Sequence, residues 1–166
     1  MHTPPLYIFV GHSNAGKTTF VEKLIPELTR RNRRVATIKH AHHTVELDTE
    51  GKDSWRYKKA GAALSMLVTT QALQLVADAV DRREPMELAK RFLGEADIVL
   101  AEGFSLATGP KIEVLRRVTG KPPRCTPEDG LIALVTDCDE IYPPLPHFAL
   151  DDIAGIADFL LAHAAR

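Results

Sequence analysis

Short continuous apolar runs alternate with longer amphipathic stretches along this 166-residue chain. The runs are rich in β-branched and aromatic residues, as in strands buried on both faces of a parallel sheet. They predict strands at residues 6–10, 35–38, 64–68, 73–76, 98–101, 111–115 and 131–135. Apolar residues at helical spacing predict helices at residues 17–31, 54–60, 85–94 and 153–165. This alternation favours a mainly parallel α/β sheet in one layered domain, residues 1–166.

The longest candidate for a membrane span is residues 60–77, an uncharged segment of 18 residues. That length is near the lower limit for a transmembrane helix. Gly61, three hydroxyl residues and two glutamines interrupt the segment, and a polar stretch at residues 69–71 divides it. We therefore interpret it as two core strands and expect no membrane association.

The strongest motif lies at residues 11–18, GHSNAGKT, which matches G-x-x-x-x-G-K-[ST]. It stands between a predicted strand and an amphipathic helix, as such a loop requires. Glycines let the backbone turn its amide hydrogens inward, and the start of the helix adds the positive end of its dipole. The sequence therefore predicts a nucleoside triphosphate site. Its predicted contacts are Gly11, His12, Ser13, Asn14, Ala15, Gly16, Lys17, Thr18 and Thr19.

Three side chains have predicted roles at the triphosphate. Lys17 can reach the β- and γ-phosphates, and the Thr18 hydroxyl can bind Mg²⁺. Glu102 ends the apolar strand at 98–101, where such proteins place the carboxylate that holds the metal. Lys17 and Glu102 are the predicted catalytic pair, and the amide of Gly103 can approach the γ-phosphate.

Two further carboxylates are candidates by position. Asp48 lies in the polar loop at residues 40–53, a type of loop that can become ordered around Mg²⁺ and the γ-phosphate. Asp137 follows the strand at 131–135 and can accept hydrogen bonds from guanine N1 and N2. The usual N-K-x-D guanine motif is absent from the sequence.

Three histidines in the 40–53 loop, His40, His42 and His43, leave several interpretations open. They can contact an anionic ligand such as a pterin phosphate, bind a transition metal, or form a solvated loop without a role.

Composition narrows the class of protein. The net charge is -1, which argues against a nucleic-acid binder. Residues 1–60 nevertheless hold 11 Lys and Arg against 6 Asp and Glu, and the remainder holds 10 against 16. The basic half carries the phosphate loop, which suits an anionic ligand. Two cysteines without CxxC spacing and the lack of a signal-peptide pattern favour a cytoplasmic protein.

The motifs together resemble those of the MobB family. The matching segments are GHSNAGKTT at 11–19, ATIKHAHH at 36–43, Asp48 with GKDS at 51–54, AGA at 60–62, LAEGF at 100–104 and KIEV at 111–114. One departure is Ser105, where family members often carry Lys. The resemblance implies a P-loop NTPase fold, a three-layer α/β/α sandwich, with GTP and Mg²⁺ as ligands.

The resemblance also implies a role and partners. The family is expected to act as a homodimeric GTP-binding adaptor with weak GTPase activity. It assists a MobA-type guanylyltransferase that attaches GMP to molybdopterin, with molybdopterin or a molybdoenzyme as further candidate partners. Two alternatives remain open on the sequence. One is a small-molecule kinase or ATP-dependent ligase on the same fold, and the other is a metal-insertion GTPase.

Overall fold

The structure, a computed structural model, describes residues 3–41, 45–78, 84–139 and 141–165. Its strands are β1 (Leu6–Val10), β2 (Val35–Lys39), β3 (Leu64–Val68), β4 (Leu73–Ala77), β5 (Ile98–Glu102), β6 (Lys111–Leu115), β7 (Leu131–Thr136) and β8 (His147–Phe148). Its α-helices are α1 (Lys17–Arg30), α2 (Asp53–Lys59), α3 (Pro85–Phe92) and α4 (Ile153–Ala164). Short 3₁₀ turns cover Arg117–Thr119 and Pro127–Asp129. Helix α1 continues through Pro26.

The elements belong to two compact units. The first comprises residues 1–40 and 84–166, and the second comprises residues 41–83. Each unit contains its own sheet. The expectation that residues 1–166 act as a single domain stays a prediction.

The first unit is built on a six-stranded sheet in the order β2-β5-β1-β6-β7-β8. Every pairing between its strands is parallel. Strand β1 lies in the middle, and its Ile8 is level with Ala101 on one side and Lys111 on the other. The predicted mainly parallel sheet is confirmed.

The core of this unit lies on both faces of the sheet. Successive strand side chains point to opposite faces, so Tyr7 and Phe9 join α1 and α4 in one cluster. The alternate residues Leu6, Ile8 and Val10 join Ala89 of α3 in the other. The three-layer α/β/α architecture is thereby confirmed. The Tyr7 hydroxyl donates to the Leu160 carbonyl at 2.9 Å, and burial raises the pKa of Tyr7 to about 12.

The second unit consists of α2 and an antiparallel hairpin of β3 and β4. The prediction that these are core strands is wrong. Met66 and Val68 are 58% and 66% exposed, because α2 packs on β3 while no further layer within this unit covers the hairpin in the described residues. Lys58 holds the end of α2 by donating to the carbonyls of Ala62 and Ala63, at 2.6 and 2.9 Å.

Strand β8 and the two 3₁₀ turns were not predicted. Strand β8 has two residues, too few for an alternating pattern to mark it. Of the helices in the described ranges, none has the length and hydropathy needed to cross a lipid bilayer.

Candidate nucleotide-binding site

The carboxyl ends of the parallel strands meet along one edge of the main sheet. Ligands of open α/β sheets bind at this edge. Taken in the order β2, β5, β1, β6 and β7, the positions at the strand ends are Lys39, Glu102, the phosphate loop at 11–18, Arg116 and Asp137. Residues far apart in the sequence therefore form one row at the predicted triphosphate site.

The phosphate loop joins β1 to α1 through two glycines with positive φ. Gly11 has φ 138°, and a Cβ there would lie 2.4 Å from the Val114 carbonyl oxygen. Gly16 has φ 89° and stands at the N-cap of α1. Between them Ala15 is buried in the core, which holds the loop on the sheet.

The amino end of α1 differs from that of α4. The Asp152 side chain accepts a hydrogen bond from the Gly155 amide at 2.9 Å and so caps α4. Among the described residues no side chain caps α1, and its first turn contains no acidic residue. The first amides of a helix need an acceptor, and the dipole there favours an anion. This helix end is therefore suited to a phosphate.

The Lys17 side chain forms hydrogen bonds with the backbone of the phosphate loop. Its ammonium donates to the carbonyls of Gly11 and His12, at 3.0 and 2.8 Å. Burial lowers the pKa of Lys17, the charge of Glu102 opposes this, and Lys39 and Arg124 lower it further. A phosphate would favour the charged form, because an opposite charge at short range stabilises a cation.

Thr18, Glu102 and Lys39 form a compact cluster beside this loop. The Thr18 hydroxyl lies 2.9 and 3.0 Å from the two Glu102 carboxylate oxygens. The Lys39 ammonium lies 2.9 Å from the Thr18 hydroxyl and 2.9 Å from the Glu102 carboxylate. A cation therefore already stands between two oxygen ligands of the type that Mg²⁺ prefers. These oxygens fit Mg²⁺, which Thr18 and Glu102 would hold.

The backbone around Glu102 is held from both sides. The His40 amide donates to the Glu102 carbonyl at 2.9 Å, and the His40 ring stacks on Phe104 with centroids 5.1 Å apart. Gly103 has φ 93°, and a Cβ there would lie 2.8 Å from the His40 carbonyl oxygen. The Gly103 amide donates to the Phe9 carbonyl at 3.3 Å. Its predicted contact with a γ-phosphate would require this long hydrogen bond to open.

A cavity of about 460 Å³ lies over the phosphate loop. Its volume is in the range of small-molecule sites. The lining residues are Asn14, Gly16, Lys17, Thr18, Thr19, Glu102 and Arg116. Glu102 is the only carboxylate among the described residues that line it, against the two cationic side chains of Lys17 and Arg116.

The loop after β6 lies against the phosphate loop and is fixed by a buried acid. Glu113 is fully buried and accepts from the amides of Arg124 and Cys125, at 2.7 and 3.0 Å. Burial raises the pKa of Glu113, and the two hydrogen bonds oppose that shift. The ring of His12 contacts the Pro122 carbonyl, 3.0 Å from Nε2.

Asp137 lies at the correct edge of the sheet, but its carboxylate already has a partner. It accepts from the Arg117 amide at 2.6 Å, and its carbonyl accepts from the Arg117 guanidinium at 3.3 and 3.2 Å. The side chain is exposed. Its predicted contact with guanine stays a prediction.

The remaining candidates lie elsewhere. Asp48 is in the second unit, where it lines a separate cavity of about 390 Å³ and has one buried oxygen without a hydrogen-bond partner in the described ranges. Its predicted role at Mg²⁺ stays a prediction. His42 and His43 lie outside the described residues. Ser13 is exposed at the tip of the phosphate loop.

Sequence reasoning missed the site roles of three residues. Lys39 was visible only as a charge at a strand end, and Arg116 as one of several arginines after a strand. Glu113 carried a stronger signal, because an acid inside the otherwise apolar run at 112–115 is unusual unless it is paired. The pairing itself depends on the fold of the following loop.

Comparison with known proteins identifies the family. The family model "MobB: Molybdopterin guanine dinucleotide synthesis protein B" matches residues 6–137. The chain belongs to the MobB family. This confirms the expectation drawn from the motifs, and with it the biosynthetic context of molybdopterin guanine dinucleotide.

Two relatives of this MobB chain are named molybdopterin-guanine dinucleotide biosynthesis adapter protein. That of Haemophilus influenzae is 42% identical over 162 residues, which cover 94% of this chain and 87% of the relative. That of Escherichia coli is 34% identical over 161 residues, covering 95% and 91%. The crystal structure of Bacillus subtilis MobB superimposes with a TM-score of 0.73 at 32% identity, covering 95% of this chain and 96% of that one.

Proposed function

We propose that this MobB chain is a GTP-binding adaptor that assists the attachment of GMP to molybdopterin. The observation that carries the nucleotide part is the cluster of Thr18, Glu102 and Lys39 beside the uncapped start of α1. Lys17 and the loop amides would bind the phosphates, and Thr18 and Glu102 would hold Mg²⁺. A MobA-type guanylyltransferase is the proposed partner, and the cytoplasmic location expected from the sequence is part of the proposal.

Hydrolysis of GTP by this site should be slow. Fast hydrolysis needs a group that orients or deprotonates the attacking water. Glu102 is the one acid among the described residues lining the cavity, and it is engaged by Thr18 and Lys39. Binding, rather than turnover, is therefore the central activity of the proposed adaptor.

The proposed adaptor acts as a homodimer through the hairpin of β3 and β4. A two-stranded sheet is marginally stable alone, and its edge strands can pair with another chain. Large apolar side chains are exposed on it: Leu64, Met66, Leu67, Val68 and Leu73. A second copy of the chain would extend the sheet and cover this apolar surface.

The test of the nucleotide proposal is a competition between GTP and ATP for the purified protein with Mg²⁺. We expect GTP to displace a fluorescent guanine nucleotide at least 10-fold more effectively than ATP, since a site that hydrogen-bonds one base rejects another strongly. The matched variant K17A should lose GTP binding. An equal or higher affinity for ATP would contradict the adaptor and favour the kinase alternative, and unchanged GTP affinity in K17A would contradict the assignment of the loop.

A further inference from the structure

Arg116 is a charged side chain to which no side-chain hydrogen bond or ion pair within the described residues assigns a role. It directly follows β6 and lines the cavity over the phosphate loop. Its Nε is buried and has no hydrogen-bond partner among the described residues. A buried donor without an acceptor is costly, so such groups are rare unless a ligand supplies the acceptor.

The backbone of Arg116 is fixed, which directs its side chain along the phosphate loop. Its carbonyl accepts from the Thr119 amide at 3.0 Å and from the Thr119 hydroxyl at 2.7 Å. The Arg116 Cδ lies 4.0 Å from the point where a Cβ on Gly16 would stand. The same side chain also lines a smaller neighbouring cavity of about 150 Å³ with Thr19 and Lys23. The guanidinium therefore lies beside the first turn of α1.

The sheet order indicates which phosphates this guanidinium would meet. The metal ligand Glu102 ends β5, on one side of β1, and Arg116 follows β6, on the other side. Thr18 and Glu102 would hold Mg²⁺ on the β5 side, where it would neutralise charge at the terminal end of the phosphate chain. Asp137, the predicted contact of the base, lies one strand beyond β6. The phosphate chain should thus run from the β5 side towards β7, with its α- and β-phosphates next to Arg116.

We propose that Arg116 binds the α- and β-phosphates of the nucleotide. Its planar fork of donors matches phosphate oxygens bidentately, and the orphaned Nε would gain an acceptor. This assignment rests on the proposed nucleotide site but does not depend on the identity of the base. With Lys17 and Mg²⁺, Arg116 would be the third cation at the phosphates. It would lie on the side of the phosphates opposite to Lys39 and Mg²⁺.

The experiment compares R116M and R116K with the wild-type chain for binding of GDP, GTP and ADP by calorimetry. R116M should weaken GDP and GTP by the same factor, about 10- to 100-fold, as expected for a hydrogen bond to a charged group. R116K should retain part of the affinity because it keeps the charge and loses the fork. A loss restricted to GTP, or no loss, would overturn the assignment.

Two controls separate this role from others. The unfolding midpoint of nucleotide-free R116M should equal or exceed that of the wild type, since an unpaired buried donor is removed; a clear fall would mean that Arg116 is structural. R34A removes an exposed arginine paired with Glu95 at 2.8 Å, at the opposite edge of the sheet, and should leave binding unchanged. If the wild type binds ADP in preference to GDP, the GTP proposal fails, and the role of Arg116 is then tested by the effect of R116M on ADP affinity. If it binds none of the three, both proposals fail.

Discussion

Gly11, which directly follows β1, lies so close to β6 that the effect of a substitution there on stability can be predicted quantitatively. Replacing Gly11 with Ala places a Cβ 2.4 Å from the Val114 carbonyl oxygen, in backbone that is buried within the sheet. The residue also has φ 138°, a conformation that side chains disfavour. Because Val114 is held by β7 on its other side, the strand cannot move away freely.

The expected loss of stability has two parts. A residue with a Cβ in a left-handed conformation costs about 1–2 kcal/mol. Overpacking in a well-packed region adds about 1–3 kcal/mol. Gly120 provides the matched control, because it has φ 61° and no atom of the described residues lies within 4 Å of the point where its Cβ would stand. G120A, whose φ is near the left-handed helical value, should show at most the first part and none of the second, so that G11A is less stable by about 2 kcal/mol or more.

Thermal unfolding of both variants measures this difference. For a chain of this length 1 kcal/mol shifts the midpoint by about 2–4 °C, so G11A should unfold about 6 °C below G120A. Replacing Gly with Ala also lowers the conformational entropy of the unfolded chain. This stabilising effect is the same in the two variants, so it cancels in their comparison. Equal midpoints would refute the argument that the Val114 carbonyl requires glycine at the start of the phosphate loop.

Three other predictions concern a side chain beside Glu102, a buried acid and the hairpin. K39M should tighten Mg²⁺ binding to the GDP complex by about 1.5- to 5-fold in a magnesium titration, since the half-exposed Lys39 ammonium no longer competes for Glu102; weaker binding would contradict this. Burial raises the pKa of Glu113, so its contribution to stability is greatest in acid and falls as pH rises above 4.5 through the raised pKa. The difference in unfolding free energy between wild type and E113Q, measured in urea from pH 4 to 8, should fall and then level off; a constant difference would contradict this. M66K should convert the proposed dimer to monomer in sedimentation, whereas L106K, at a residue 98% exposed in the other unit, should not.

The nucleotide loop and its strands were predictable because several local signals agree there. A continuous apolar run, a glycine motif and an amphipathic helix follow one another at residues 6–31. Glu102 could be found in the same way, as a carboxylate ending a buried strand. The contact between Thr18 and Glu102, at 2.9 Å, then follows from the parallel pairing of β1 with β5.

Other features could not be predicted because they depend on which strands become neighbours. The pairing of β6 with β1 could not be inferred from the sequence, so the position of Arg116 beside the phosphate loop could not be predicted. The apolar runs at 64–68 and 73–76 resemble core strands in composition, yet they form a hairpin with exposed side chains. An apolar strand indicates that one of its faces is buried. It does not indicate whether the surface that buries it belongs to the same chain or to another one.

Three features of the first unit are unfavourable for its stability, and one class of ligand would stabilise all three. Helix α1 begins without a cap, burial lowers the pKa of Lys17, and the Arg116 Nε is buried without a partner among the described residues. The helix start and the Arg116 Nε lack a side-chain acceptor among the described residues, the Lys17 ammonium is partly buried, and all three border the same cavity. A single carboxylate would satisfy one of them, whereas a chain of phosphates offers several charged acceptors along the same line. Glu102 is the exception because it is an anion, at present paired with Lys39; Mg²⁺ held by Thr18 and Glu102 would replace that lysine as its counter-ion. The proposed polyphosphate with its metal would therefore satisfy all of these groups together.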